Sequence, residues 1–263
     1  MLDEDYAEAS KNLEAMGSAM MLQVRTRFIE ECLAHAMQNG ATQLVILGAG
    51  FDTRAYRLTG LLSVARVFEV DRPSTQQYKM RRIREAGIEV PQNLSYVPVD
   101  FRSDKLPSVL HASGYDSRQL TFFIWEGVTM YLPEAAIEET LSWIGAQAAG
   151  SAVVFDFVYR GLLEFVNTVS VDQLPEPAKQ GIGRLRKLEA GEPWVFGFPT
   201  TETEYLTKFG LTTRELMIIG GEESRKRYLI RSDGSAYLSL PSDMQQPPAA
   251  PPGFSYSLAE ALV

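Results

Sequence analysis

The chain carries one cysteine, Cys32, and two histidines, His35 and His111. A single thiol excludes an intrachain disulfide, and Cys and His so sparse and scattered offer no ligand spacing, so no metal site is expected. No run of eighteen apolar residues occurs, which excludes a membrane-spanning helix. Basic residues are the minority: 25 Lys and Arg stand against 33 Asp and Glu, a formal net charge of −8. That balance argues against a surface built to coat nucleic acid or an anionic membrane. Local basic patches exist, such as Lys79 to Glu85, and a helix face of that kind reads as solvated. The opening MLDEDYAEAS is acidic and lacks the basic-then-apolar order of a secretory signal, so a cytoplasmic protein is expected.

What is present is enough for one large core: 263 residues, 45% of them hydrophobic, read as a single domain spanning 1–263. Residues 1–40 read as a helical cap, with apolar side chains at helical spacing in AMMLQVRTRFIEECLAHAM and Gly40 as the stop. Short β-branched runs follow, separated by stretches long enough for helices. They are TQLVILG (42–48), ARVFEVD (65–71), LSYVPVD (94–100), LTFFIWE (120–126) and SAVVFDF (151–157). LTTRELMII (211–219) and FSYSLAEAL (254–262) complete seven. Near-continuous apolar strands alternating with helices predict an α/β fold with a doubly wound, mostly parallel seven-stranded sheet. The segment 159–199 is too long for a simple crossover and reads as a helical insert or lid after strand five. Its Trp194, Phe196 and Phe198 either line a substrate pocket or anchor the lid. SDMQQPPAAPPG (242–253) is a Pro-rich connection. Cys32, among apolar helix positions, reads as a buried small hydrophobe.

The first strand runs into GAGFDTRAYRL. Gly48 and Gly50 let a ligand approach the backbone and permit positive φ, at the strand edge where open α/β sheets bind ligands. By themselves they equally mark a plain strand-to-helix turn. Thr53 stands where a dinucleotide fold has its third glycine. Acids then end successive strands: Glu69 and Asp71, then Asp100, then Glu126. An acid about twenty residues beyond the glycine turn suits a ribose diol. With Asp52, these carboxylates would repel a pyrophosphate and suit a cofactor that joins adenosine to a cation. S-adenosylmethionine has both, through its sulfonium and ammonium groups. Neither histidine falls at the strands' C-terminal ends, so no catalytic histidine is expected.

LGAGFDTRAYRL, FEVDRPSTQQYKMRR, VPVDF and IWEGVTMYL, in this order and spacing, resemble the leucine carboxyl methyltransferase family of S-adenosylmethionine-dependent O-methyltransferases. That family includes the enzyme acting on the phosphatase 2A C-terminus and bacterial polyketide carboxyl methyltransferases. The motifs lie between residues 25 and 132; WVFGFPTTETEYLTKFGL and YSLAEA match more loosely. The resemblance implies a class I methyltransferase, Rossmann-like fold. It implies that Arg25, or alternatively Arg27, contacts the methionyl carboxylate, that Gly48 opens the loop, and that Asp71 binds the ribose. Asp100 and Phe101 would bracket the adenine, and Glu126 would be the glutamate after strand four. Gly50, Asp52, Glu69 and Gly127 complete the expected cofactor set, and Glu126 and Tyr131 are the catalytic candidates. The chain is shorter than the eukaryotic phosphatase-modifying enzyme and that enzyme's peptide-binding segments are not located in it, so the resemblance implies the cofactor and leaves the substrate open.

The expected reaction is methylation of a small-molecule carboxylate to its methyl ester by a monomer or homodimer. A phenol or alcohol acceptor and a protein C-terminal carboxylate are the alternatives. An NAD-dependent oxidoreductase and a non-catalytic cofactor-binding protein are the rivals from other classes.

Overall fold

Five apolar runs become parallel strands: β1 (Gln43–Leu47), β2 (Arg66–Asp71), β3 (Leu94–Pro98), β4 (Thr121–Trp125) and β5 (Ala152–Val158). Every residue of β1, β4 and β5 is buried, which is why these strands read as unbroken apolar stretches. β6 (Thr212–Ile218) lies at the edge and alternates in burial. β7 (Tyr256–Leu262) inserts antiparallel between β5 and β6, giving the order β3-β2-β1-β4-β5-β7-β6. The computed structural model describes residues 18–101, 104–170, 193–237 and 255–263, together with Asp172, Leu174, Lys179, Ile182 and Gly183.

The helices are α1 (Ser18–Gln38), α2 (Arg54–Arg57), α3 (Pro73–Glu85), α4 (Leu106–Ala112), α5 (Glu134–Gly145), α6 (Arg160–Thr168), α7 (Glu202–Thr207) and α8 (Glu222–Tyr228). They cover both faces of the sheet. Leu44 and Ile46 of β1 join Phe122, Ile124 and Val154 in a layer that receives Val24, Phe28, Ile29 and Leu33 of α1. The alternate residues Val45, Leu47, Phe123, Trp125 and Phe155 meet Ile137, Leu141 and Ile144 of α5 on the other face. α1 is therefore part of the core as well as a cover: Val24, Phe28, Ile29 and Leu33 are all fully buried. It stops where the sequence predicts, with Gly40 at φ 91°. Cys32 is buried, and burial pushes its thiol up, as expected of an inert core cysteine.

The expected insert after β5 begins as α6, and the chain returns at residues 193–199. Phe198 pairs with Tyr159 in a parallel bridge. Val195 N–H donates to the Met130 carbonyl at 2.8 Å. Trp194, Phe196 and Phe198 are buried, with Phe198 stacked on Phe155. These three aromatics anchor the segment. Residues 1–17, most of 171–192 and the Pro-rich 242–253 lie outside the described residues.

Because β1 to β4 are parallel, their C-terminal ends fall on one edge of the sheet. That edge carries Gly48 to Thr53, Asp71, Asp100 and Glu126. Parallel topology alone brings these strand-end residues to one edge.

Candidate active site

At the end of β1 the backbone turns through Gly48 (φ 68°) and Gly50 (φ 46°), conformations that favour glycine. At Gly48 space is the stricter limit: an added Cβ would stand 2.4 Å from Cγ2 of Val128, in the turn after β4. Gly50 N–H donates to Asp71 Oδ2 at 2.5 Å, and Arg72 N–H donates to Asp71 Oδ1 at 2.6 Å. Asp71 thus fixes the glycine turn while keeping a lone pair on each oxygen. Asp52 Oδ1 accepts from Arg54 N–H at 2.6 Å, an Asx-type turn that leads the chain into α2.

Beside this turn lies a network of charges. Arg54 Nη1 donates to Asp52 Oδ2 at 2.5 Å and to Glu126 Oε2 at 2.7 Å. Arg25, from α1, places Nε 2.7 Å from Glu126 Oε1 and Nη1 2.9 Å from Asp156 Oδ2. Asp156 Oδ1 accepts Gly127 N–H at 2.6 Å, and the Tyr256 hydroxyl donates to Oδ2. Burial works against the charge on Arg25, but Asp156 and Glu126 outweigh it and hold the guanidinium above its ordinary pKa. Burial pushes the Asp156 carboxyl up, opposed by Arg25, Tyr256 and Gly127 N–H. Burial and Asp156 together keep the Tyr256 phenol protonated, as a donor. The Nε atoms of Arg25 and Arg54 are buried without an aligned hydrogen-bond acceptor.

Two cavities open on this edge and share Gly48 and Gly127. The larger, of about 390 Å³, holds Arg25, Gly50, Asp52, Arg54 and Glu126 on its wall. The smaller, of about 210 Å³, is lined by Asp71, Asp100, Phe101, Val128 and Tyr131 among others. Arg25, Gly48, Gly50, Asp52, Asp71, Asp100, Phe101, Glu126, Gly127 and Tyr131 therefore all reach one continuous edge. Arg27 does not: it donates to the Tyr228 carbonyl at 2.9 Å and stacks over the Tyr237 ring.

Glu69 stands apart from the other predicted residues. It points inward, 1% exposed, and pairs with Lys79 Nζ at 2.6 Å. A strand's side chains alternate, so Glu69 and Asp71 share a face, but Glu69 lies two residues deeper, beneath the turn. Lys79 also donates to the Asp52 carbonyl at 2.6 Å. This pair supports the turn from below, and burial pushes the Glu69 carboxyl up to about 7 against the pull of Lys79. The expectation of a fully solvated basic face on α3 is corrected here: Lys79 is buried, while Arg81 and Arg82 are exposed.

Arg54, Asp156 and Tyr256 belong to this site and were not among the predicted residues. Asp156 had a signal, a charge inside the otherwise apolar AVVFDFV strand, because an unpaired carboxylate does not survive burial. Arg54 sits within the glycine motif itself. Tyr256 gave no signal, since only the antiparallel insertion of β7 beside β5 brings it to Asp156. His111 is exposed on α4, and His35 lines a different cavity with Arg214 and Glu260. Among the described residues no cluster of His, Cys, Asp and Glu could hold a metal ion. No helix among them is long and apolar enough to cross a membrane.

The strand order, the antiparallel β7 and the glycine turn after β1 define a class I methyltransferase fold. A Thermobifida fusca YX structure described as a putative methyltransferase shares that fold, with a TM-score of 0.55 at 18% identity over 98% of this chain and 87% of that one. A DUF574 family protein from Streptomyces avermitilis MA-4680 does so as well, with a TM-score of 0.55 at 14% identity over 94% and 88%. The chain belongs to the leucine carboxyl methyltransferase family, whose sequence profile matches residues 1–145. It is 38% identical over 164 residues to "Putative S-adenosyl-L-methionine-dependent methyltransferase SCO7813" of Streptomyces coelicolor, covering 62% of this chain and 56% of that protein. A protein of the same description from Mycolicibacterium vanbaalenii is 34% identical over 161 residues, covering 61% and 52%. The chain thus spans about half the length of the curated relatives it matches.

Proposed function

We propose that this protein is an S-adenosylmethionine-dependent O-methyltransferase that converts a small-molecule carboxylate to its methyl ester. The observation that carries the reading is the pair of cavities meeting at Gly48 and Gly127, one lined by guanidinium and carboxylate groups, the other by Asp71, Asp100 and Phe101. That division matches a cofactor with a zwitterionic amino-acid half and a nucleoside half. Arg25, a cation on the wall of the larger cavity, suits an incoming carboxylate, and the missing Cβ of Gly48 keeps the passage between the halves open. Family membership and the relatives' descriptions support the same cofactor.

Arg25 would receive the methionyl carboxylate, and Glu126 would face the ammonium group. The free lone pairs of Asp71 would accept the ribose hydroxyls, with Asp100 and Phe101 on either side of the adenine. When bound, S-adenosylmethionine supplies the activated methyl group. The chain's residues orient the reactants, and Phe101, Val128 and Leu132 exclude water. A carboxylate acceptor, with an ordinary pKa of about 4, is already ionised at neutral pH and needs no general base. Neither His35 nor His111 lines either cavity, which is in keeping with an acceptor that needs no histidine base. Tyr131, on the wall of the smaller cavity, favours a second reading in which it assists a phenol or alcohol acceptor.

Methyl transfer from methyl-labelled cofactor to a panel of small carboxylic acids tests the proposal. Product that releases labelled methanol in mild base is expected. A base-stable methyl ether would establish the second reading in its place.

A further inference from the structure

Asp156 is a carboxylate with no exposed surface, in the middle of a strand whose other residues are all apolar. Such a group persists only when its oxygens are filled by donors. Here the donors come from three distant parts of the chain. Arg25 Nη1 from α1 and the Tyr256 hydroxyl from β7 reach Oδ2, and Gly127 N–H after β4 reaches Oδ1. The Asp156 carbonyl also takes the Thr129 hydroxyl at 2.6 Å, which holds the turn after β4 from a second point. Two of these partners, Arg25 and Gly127, line the larger cavity, and Gly127 also lines the smaller. Asp156 itself lines neither.

We infer that Asp156 is the positioning residue of the methyl-donor site: its buried carboxylate aims Arg25 at the amino-acid half of the cofactor and sets the Gly127 turn between the two cavities. The inference rests on the cofactor reading above. Tyr256 acts with it, since its hydroxyl lies within 3.2 Å of Arg25 Nη1 as well as donating to Asp156. The last strand of the sheet is thereby tied to the site although it contributes nothing to the cavity walls.

Chemistry makes the substitution Asp156→Asn informative. Both carboxylate oxygens accept hydrogen bonds, so an amide of the same shape must set its NH2 against a donor whichever way it turns. Facing Gly127 it pushes the turn away; facing Arg25 it opposes the guanidinium. The test is calorimetric titration of the full chain with S-adenosylhomocysteine and with 5′-methylthioadenosine, which lacks the amino-acid half. In Asp156→Asn the affinity for S-adenosylhomocysteine is expected to fall at least about tenfold more than that for methylthioadenosine. In an Arg25→Lys background the same change should cost little further, because the aimed group is already gone. Equal losses for both ligands, or unchanged affinity for both, would overturn the inference and leave Asp156 a purely structural group. Should Asp156→Asn not yield folded protein, Tyr256→Phe carries the test, with a several-fold loss again confined to S-adenosylhomocysteine and the same overturning results. Failure of the unsubstituted chain to bind S-adenosylhomocysteine is a separate outcome, which removes the cofactor reading itself.

Discussion

Gly50 N–H donates to Asp71 Oδ2 across 2.5 Å, joining the turn after β1 to the end of β2 over 21 residues of sequence. The acid beyond the glycine turn therefore holds its own loop, and under the proposed function it would also receive the ribose. Asp71→Asn should weaken S-adenosylhomocysteine binding by about 2 kcal/mol or more, roughly thirtyfold, because an amide is a poorer acceptor for two hydroxyls. Asp71→Ala should also lower the melting temperature, since two backbone N–H groups lose their acceptor. Titration calorimetry and thermal unfolding of both variants check this; unchanged affinity in a folded variant would remove Asp71 from the site.

Gly48→Ala should be damaging twice over. Its φ of 68° is strained for any side chain, and its Cβ would meet Val128. A loss of about 2–4 kcal/mol in stability is expected. Gly48→Ala with Val128→Ala should recover only the steric share, which chemical denaturation of the single and double variants measures.

The reach of Arg25 into the site is better tested by substitution than by shortening the chain. Deleting residues 1–30 would remove Val24, Phe28 and Ile29, which are fully buried against β1, β4 and β5. Such a truncation is expected to unfold, whatever Arg25 does. Arg25→Gln should retain the fold and lose S-adenosylhomocysteine affinity by at least about tenfold.

Much of this was legible in the sequence, for identifiable reasons. Strands buried on both faces announce themselves as apolar runs, and parallel topology brings their terminal acids together without any knowledge of packing. Depth was harder to read. Glu69 and Asp71 look alike in FEVD, yet two residues along β2 separate a buried partner of Lys79 from a cavity wall. Contacts made across the antiparallel β7 left no local trace, which is why Tyr256 was missed. The aromatics of residues 194–198 fitted two roles equally, and only their pairing with β5 distinguishes them.

The Glu69–Lys79 pair gives a pH dependence. The folded carboxyl is raised to about 7, above its ordinary 4.5, so the folded state holds the proton more tightly than the unfolded chain. The stability this contributes is present below about pH 4.5 and is lost as pH rises through about 7. Relative to Glu69→Gln, the unsubstituted protein should lose up to about 3 kcal/mol of stability across that interval. Denaturant unfolding at a series of pH values reads the difference; a parallel pair of curves would show that Glu69 stays ionised throughout.

A carboxylate acceptor predicts a rate on the chemical step that stays nearly flat from about pH 6 to 9 with cofactor saturating. A steep climb with pH would instead mark an acceptor that must lose a proton, as in the phenol or alcohol reading.

The most direct measurement is a crystal structure of the full chain with S-adenosylhomocysteine. The account predicts one ligand spanning both cavities, its carboxylate on Arg25, its ribose on Asp71, its adenine between Asp100 and Phe101, and its chain passing Gly48 and Gly127. A ligand bound elsewhere, or lying in these cavities in the opposite sense with its adenine toward Arg25, would contradict it.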